Sequence, residues 1–166
     1  MWARAWMDAE FRAVGVPKSQ RGAITDATLA FLNQCFANDE VELNGQRFLF
    51  LPRPARPPIF VGGAPPHALR RTVRYGDGWM PMGGDPKQLA PAIRKLHAAA
   101  DAAGKATPEV AVITTLPLDD PGHVADQVRA LADIGVTRII HGWRYADAAA
   151  FARAADALAN SANLIH

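Results

Sequence analysis

From residue 58 onward, short runs of apolar residues alternate with longer segments in which apolar residues recur at helical spacing. The apolar runs predict four strands, at residues 58–63, 78–82, 109–116 and 136–141. Each run is followed by a segment that predicts a helix, at residues 65–75, 85–103, 122–134 and 147–159. Strands that are apolar on both faces and are each followed by a helix are typical of a parallel sheet covered by helices. The pattern therefore predicts an α/β fold with four β/α units.

The first third of the chain has a different pattern. Apolar residues at helical spacing predict a helix over residues 20–38. Asn44-Gly45 between two short apolar runs predicts a small hairpin, because Asn-Gly readily adopts the positive φ angles of a tight turn. Residues 51–58 contain four prolines and predict an extended surface connector. We expect a single domain, residues 1–166, with this helix, hairpin and Pro-rich insertion in residues 1–57 and the four β/α units in residues 58–166.

Composition narrows the class of protein. The 166 residues are 49% apolar, which is enough for a sizeable core. The sequence contains no apolar run of about 18 residues, so no membrane span is predicted. Nucleic-acid-binding proteins usually cluster their basic residues on one face. Here the charges are interspersed and the net charge is only +2, so no nucleic-acid partner is predicted. The single cysteine, Cys35, cannot form an internal disulfide, and the first residues lack a signal-peptide core, so we expect a cytoplasmic protein.

Several catalytic and metal-binding motifs are absent from the sequence. It has no Gly-x-Ser-x-Gly elbow, no His-Glu-x-x-His, no paired-cysteine motif and no Walker loop. The five histidines lack metal-ligand spacing, so we predict no metal site. His97 and His123 fall on predicted helices, or at their starts, and are expected on the surface.

The segment after the first strand of the repeat is a candidate phosphate site. Gly62 and Gly63 let the backbone approach a ligand, and the next helix, which has Pro65 and Pro66 at its start, offers unpaired N–H groups and the positive end of its dipole. The alternative interpretation is a tight turn that needs glycine only for its dihedral angles.

Two other segments carry candidate ligand contacts. Met80 and Met82 suit an adaptable apolar pocket wall, although core packing explains either residue as well. His141 ends the last predicted strand and is followed by an arginine and two aromatic residues in the segment 142–145. Residues just past the carboxyl ends of parallel strands face the ligand site, so this group could bind an anionic or aromatic substrate. An exposed arginine and a structural histidine are the competing interpretation.

A series of motifs resembles the bacterial-luciferase-like flavin monooxygenases over nearly the whole chain. The order and spacing of the motifs carry the resemblance, since no single one is diagnostic. The motifs are Trp6-Met7-Asp8-Ala9-Glu10-Phe11, Gly15-Val16-Pro17, Arg21-Gly22 with Asp26, Gly45-x-x-Phe48, Pro52-x-Pro54, Pro57-Pro58-Ile59-Phe60-Val61-Gly62-Gly63, Ala68-Leu69-Arg70-Arg71, Gly76-Asp77-Gly78-Trp79 and Asp133-Ile134-Gly135-Val136.

The resemblance implies a fold, a cofactor and a reaction. Members of this family fold as a TIM-type barrel with an insertion and bind FMN or the deazaflavin coenzyme F-420. By resemblance, Gly62 and Gly63, with Pro65 and Pro66 beyond them, hold the cofactor phosphate, and Met80 and Met82 line the substrate pocket. The implied reaction is hydride transfer with F-420 or oxygen activation with FMN on a small organic substrate. No catalytic residue is assigned by the motifs, and His141 is the best local candidate.

The length of the chain modifies this expectation. A closed (β/α)₈ barrel needs about 250 residues. The sequence resembles the carboxyl-terminal half of the family barrel, about its last four β/α units, and starts near the end of the family's fourth strand. We therefore expect a partial barrel that forms a homo-oligomer or needs a half-barrel partner, since its edge strands would otherwise be unpaired. The alternative hypothesis is a non-catalytic remnant domain that only binds flavin or phosphate, or only self-associates.

Overall fold

The structure, a computed structural model, describes residues 7–162 and has an α/β fold. Trp6, the first residue of the first motif, lies outside the described residues. The helices are α1 (Asp8–Ala13), α2 (Arg21–Ala37), α3 (His67–Tyr75), α4 (Pro86–Ala102), α5 (Pro121–Asp133) and α6 (Ala148–Ala162), and a 3-10 turn spans Lys18–Gln20. The strands are β1 (Glu40–Leu43), β2 (Gln46–Leu49), β3 (Phe60–Gly62), β4 (Gly78–Met80), β5 (Glu109–Thr114) and β6 (Arg138–His141). The predicted helix over 20–38, the hairpin and the four β/α units are confirmed, whereas α1 and the 3-10 turn were not predicted.

The four strands of the repeat form one parallel sheet in the order β3-β4-β5-β6. Val61 lies opposite Trp79, and Trp79 lies opposite Val110. Further along, Val112 lies opposite Ile139. Sequential order and parallel direction follow from the alternation of strands with crossover helices, which return the chain to the same end of the sheet.

One face of this sheet packs against helices α3, α4 and α5. Trp79, Val110 and Val112 project from the strands into the core cluster on that side. The helices contribute apolar side chains at helical spacing, such as Leu89, Ile93 and Leu96 of α4. Each fully buried aliphatic side chain of this kind stabilises the fold by about 1.5–3 kcal/mol. We call this side of the sheet the helix face.

The residues that alternate with this core form the opposite side of the sheet. We call it the open face and define it by its strand residues: Phe60, Gly62, Gly78, Met80, Glu109, Ala111, Ile113, Arg138 and Ile140. Gly78 and Ala111 are buried. Ile113 is 43% exposed and Ile140 is 39% exposed. Helices α3, α4 and α5 follow their strands onto the same side of the sheet, so among the described residues the core cluster lies on the helix face only.

The first third of the chain packs on the outer side of α3. The hairpin of β1 and β2 turns at Asn44 and Gly45, whose φ angles are 53° and 76°, as the Asn-Gly signal predicts. Phe48 of the hairpin contacts Phe31 of α2, with ring centroids 6.4 Å apart. The Pro-rich connector is held where the Arg56 guanidinium donates to both carboxylate oxygens of Asp77, at 3.0 and 2.8 Å.

Among the described residues no helix is long and apolar enough to cross a membrane. His123 is exposed as predicted, but His97 is only half-exposed and its Nε2 is buried. Gly135 explains this, because the absence of a side chain there lets the His97 ring pack close to the chain that leaves α5.

Candidate functional site

The chain turns sharply between β3 and α3, at the segment that we call the glycine corner, residues 62–66. Gly63 has a φ of +115°, which residues with a side chain rarely adopt. Gly62 and Gly63 are half-buried, and Pro65 and Pro66 are exposed. The corner therefore lies at the surface, at the carboxyl end of the sheet, where a ligand could reach it.

The glycine corner presents backbone donors. In the described part of the chain, the N–H groups of Gly63, Ala64 and His67 donate no hydrogen bond. Pro65 and Pro66 have no N–H, so the donors lie on either side of the two prolines. The nine-residue helix α3 begins at His67 and directs the positive end of its dipole to the same place. Free donors and a positive dipole end are what a phosphate group requires.

Trp79 holds the glycine corner in position. Its indole Nε1–H donates to the carbonyl oxygen of Gly63 at 3.0 Å, and its side chain is almost fully buried. A buried indole N–H needs an acceptor, and here the acceptor belongs to the residue with the positive φ. This role of Trp79 is not predicted by the sequence motifs. The signal in the sequence was a tryptophan on the strand next to β3, because a tryptophan that is buried there needs an acceptor for its indole N–H.

The two methionines occupy different environments. Met80 ends β4 on the open face, half-buried and directly opposite Gly62 in the strand register. Met82 lies in the following loop and is 87% exposed. The structure thus brings Met80 to the glycine corner and leaves Met82 in the loop beyond the strand.

His141 lies on the other side of the sheet from Gly62 and Met80. It ends β6 two residues after Ile139, which packs against the helix-face core, so alternation places His141 on the helix face. Its Nδ1 accepts a hydrogen bond from the Leu116 N–H at 3.0 Å. The structure does not bring this histidine together with the glycine corner.

A cleft of about 530 Å³ lies beside His141, between the loop after β5, the loop after β6 and helix α6. We call it the β6 cleft. Its lining consists of Thr115, Leu116, Pro117, Leu118, Asp119, His141, Trp143, Arg144, Tyr145, Ala146, Ala150 and Ala154. The polar and aromatic segment that follows the last predicted strand therefore lines one cavity.

A partly buried ion pair anchors α3 to α2. The guanidinium of Arg71, which is 5% exposed, donates to Asp26 through Nε–Oδ1 at 2.5 Å and Nη2–Oδ2 at 3.2 Å. Nη2 also donates to the Gly22 carbonyl oxygen. The hydrogen bond from Arg71 lowers the pKa of the Asp26 carboxyl, and burial partly opposes that shift. Two motifs 45 residues apart meet here, a contact that the sequence spacing did not indicate.

The carboxyl-terminal part of the open face is apolar. Its described strand residues there are Gly62, Met80, Ile113 and Ile140. The charged residues of this face are Glu109 and Arg138, at the other end of the strands, and they pair with each other at 3.1 Å. Arg138 also lies 5.5 Å from the centre of the Phe60 ring. This arrangement suits an apolar ligand with a phosphate at the glycine corner. Among residues 7–162, no group of three His, Cys, Asp or Glu side chains is placed to hold a metal ion.

Comparisons with known proteins agree on family and fold. The model of the luciferase-like monooxygenase family matches residues 3–161. Uncharacterized proteins of Mycobacterium tuberculosis and Mycobacterium bovis are 37% identical over 142 residues, which is 81% of this chain. The chain spans about half of their length, since the match covers 47% of each.

A solved structure resembles this one in fold. It is an F420-dependent secondary alcohol dehydrogenase in complex with an F420-acetone adduct, with a TM-score of 0.62 and 16% sequence identity. The match covers 74% of this chain and 56% of that chain. At this identity the likeness concerns the fold alone.

Proposed function

Because this chain belongs to the luciferase-like monooxygenase family, we propose that it is an oxidoreductase that binds a flavin-type cofactor. The cofactor is coenzyme F-420, used for hydride transfer, or FMN, used for oxygen activation. The observation that carries the proposal is the glycine corner, which lies at the surface at the carboxyl end of a parallel sheet and whose N–H groups at Gly63, Ala64 and His67 have no acceptor among the described residues.

The chain's own residues would hold and orient the cofactor. The cofactor phosphate would accept from the N–H groups around Gly63, while Gly62 leaves room for close approach and Pro65 and Pro66 stiffen the turn. Trp79 would keep the Gly63 carbonyl turned toward the helix-face core and away from the phosphate. The bound cofactor supplies the redox chemistry, and the protein supplies position and exclusion of water.

The apolar carboxyl-terminal part of the open face would receive the ring system and the substrate. Met80 lies opposite Gly62 in the register and is half-buried, so it suits a pocket wall beside the cofactor. Met82 would contribute from the loop after β4. We propose a small organic substrate, because the strand residues at the carboxyl end of this face, Gly62, Met80, Ile113 and Ile140, are uncharged.

Titration with F-420 and with FMN, followed by the fluorescence of the chromophore, tests the cofactor proposal. We expect saturable binding of one of the two, and loss of that binding in Gly62→Glu, since this change adds bulk and negative charge at the corner. Gly122→Glu is the matched control, because Gly122 is exposed in the first turn of α5. Unchanged affinity in Gly62→Glu would remove the glycine corner from the proposal.

A second candidate function is a binding module without catalysis. The observation that favours it is the absence of a titratable side chain among Gly62, Met80, Ile113 and Ile140, the described strand residues at the carboxyl end of the open face. The same titration tests the first candidate against the second. A folded protein that binds neither F-420 nor FMN cannot be the proposed oxidoreductase.

The open face also supports a proposal about assembly. Parallel sheets are normally buried on both faces, yet Ile113 and Ile140 are exposed here, and no other strand in residues 7–162 pairs with the outer edge of β3 or of β6. We propose that two copies associate edge to edge, with β3 of one beside β6 of the other, to close a barrel of eight parallel strands. Eight strands enclose an interior that side chains of this size can fill.

Sedimentation velocity over a wide concentration range tests the assembly. We expect a dimer that Ile140→Lys converts to monomer, because a charge would enter the barrel interior. Leu49→Lys is the control, since Leu49 is an exposed apolar residue of the β1–β2 hairpin, which forms a separate sheet. A folded monomer at all concentrations would contradict the proposal.

A further inference from the structure

The β6 cleft lies apart from the proposed cofactor site. It is bounded by α6 and the loops after β5 and β6, on the helix face of the last strand. The glycine corner follows β3, at the other edge of the sheet. A ligand of this cleft would therefore not touch the open face, and an inference about the cleft does not rest on the redox function.

The β6 cleft has an apolar floor of suitable size. Leu116 is buried, and Ala150 and Ala154, one helical turn apart on α6, present only methyl groups. The volume of about 530 Å³ falls within the range of pockets that enclose small organic molecules. The two alanines leave this space open, since any longer side chain there would enter it.

Two aromatic side chains, those of Trp143 and Tyr145, line the β6 cleft. The Trp143 indole is 64% exposed, although a tryptophan gains most from burial. Tyr145 packs edge-on against Phe151 with ring centroids 5.2 Å apart, which fixes the orientation of its ring. A flat apolar ligand could stack on these rings and cover the indole.

Two hydrogen-bond donors line the same cleft. Because His141 Nδ1 accepts from the Leu116 N–H, the proton of the neutral ring is on Nε2, which is then a donor. Arg144 forms no ion pair or hydrogen bond with any described residue, so its guanidinium is available as a forked donor. The lining also contains the exposed carboxylate of Asp119, which would weaken the binding of an anion.

We propose that the β6 cleft is a second ligand site that binds small aromatic carboxylates. The carboxylate accepts from Arg144 and from His141 Nε2, and the ring packs between Trp143 and the alanines of α6. Both the ring and the carboxylate of such a ligand are needed. A neutral aromatic molecule would leave the Arg144 guanidinium unpaired, and a small aliphatic acid would leave the Trp143 indole exposed.

Binding of benzoate, measured by titration calorimetry and by NMR chemical shifts of the Trp143 indole N–H, tests the proposal. We expect saturable binding of benzoate, and binding at least about tenfold weaker for both acetate and benzyl alcohol. Arg144→Gln should weaken benzoate binding by at least about tenfold. Arg153→Gln is the matched control, because Arg153 is an exposed arginine of α6 outside the lining and should leave the affinity unchanged.

A second variant tests the cavity itself. Ala154→Phe should abolish benzoate binding by filling the cleft, while Asp119→Asn should strengthen binding by removing an opposing charge. Circular dichroism establishes that each variant is folded. The proposal is overturned if benzoate fails to saturate, if benzyl alcohol binds as tightly as benzoate, or if Arg144→Gln and Arg153→Gln have the same affinity. Binding of F-420 or FMN should be unaffected by Arg144→Gln, so failure here and failure of the redox proposal are distinguishable.

Discussion

The segments that follow β3 and β6 occupy equivalent places in the sheet but offer different chemistry. After β3, the glycine corner offers main-chain N–H groups and a helix terminus, with no charged side chain from residue 62 to residue 66. After β6, the chain offers an imidazole, a guanidinium and two aromatic rings. The first segment recognises a ligand with its backbone, and the second does so with its side chains.

The difference shows how one architecture separates two kinds of recognition. A backbone site depends on the exact path of the chain, so it needs Gly63 at a positive φ and the hydrogen bond from Trp79. A side-chain site depends on space, which Ala150 and Ala154 provide. Perturbing the core beneath the first site should therefore impair it while leaving the second intact.

The largest effect is expected for Trp79→Phe. The smaller ring leaves a cavity in the core and no donor for the Gly63 carbonyl, so we expect a loss of about 2–3 kcal/mol in the free energy of unfolding. Cofactor affinity should fall by roughly tenfold, because the corner is no longer held in one conformation. Chemical denaturation and the fluorescence titration measure the two effects.

Val112→Ala is the control for this loss of stability. Val112 is fully buried in the same core but does not contact the glycine corner by any described hydrogen bond. It should cost comparable stability and leave cofactor affinity unchanged, while benzoate binding in the β6 cleft stays constant in both variants. Equal losses of cofactor affinity in the two variants would show that Trp79 has no specific role.

A smaller effect is expected when the anchor of α3 is removed by Asp26→Asn. The folded pKa of Asp26 lies below its unfolded value of about 3.9, so the carboxylate stabilises the fold above that pH. This stabilisation is lost as the pH falls through the lowered folded pKa. We expect Asp26→Asn to cost about 1 kcal/mol near pH 7, and the difference from the unmodified chain to shrink below about pH 4. Denaturant unfolding as a function of pH measures it.

Asp126→Asn on α5 is the comparison for that experiment. Asp126 pairs with Arg129 at 3.0 Å, but both side chains are well exposed, so the substitution should change stability by only a few tenths of a kcal/mol. Because Arg71 lies on α3, Asp26→Asn should weaken cofactor binding slightly and leave the β6 cleft unaffected. A pH-independent difference between Asp26→Asn and the unmodified chain would contradict the assignment of the ion pair.

Much of the fold followed from local pattern. The apolar runs around Val61 and Val112 and the helical spacing in α4 predict elements whose ends the structure moves by at most two residues. The short helix α1 was missed, because six residues hold too few apolar positions for a period to be visible. The pairing of Asp26 with Arg71 was also missed, since no local rule relates side chains 45 residues apart.

For the candidate site, the sequence pattern predicted which segments contribute residues but not on which face of the sheet each residue lies. Gly62 and Met80 came together as neighbours in a parallel register, which adjacent strand–helix units impose. His141 is the last residue of its strand just as Gly62 and Met80 are of theirs, yet it lies on the opposite face. A one-residue difference in where a strand ends changes the face of its last side chain, and strand ends are what a sequence pattern defines least well.

By itself, the sequence determined the order of elements, the parallel sheet and the wide range of dihedral angles open to the backbone at Gly62 and Gly63. These features follow from periodicity and glycine content, which act within a few residues. Only the tertiary structure decided which face remained open, which donor secures the corner and which residues enclose the β6 cleft. Those features depend on how helices pack across the sheet, and packing joins residues that are far apart in the chain.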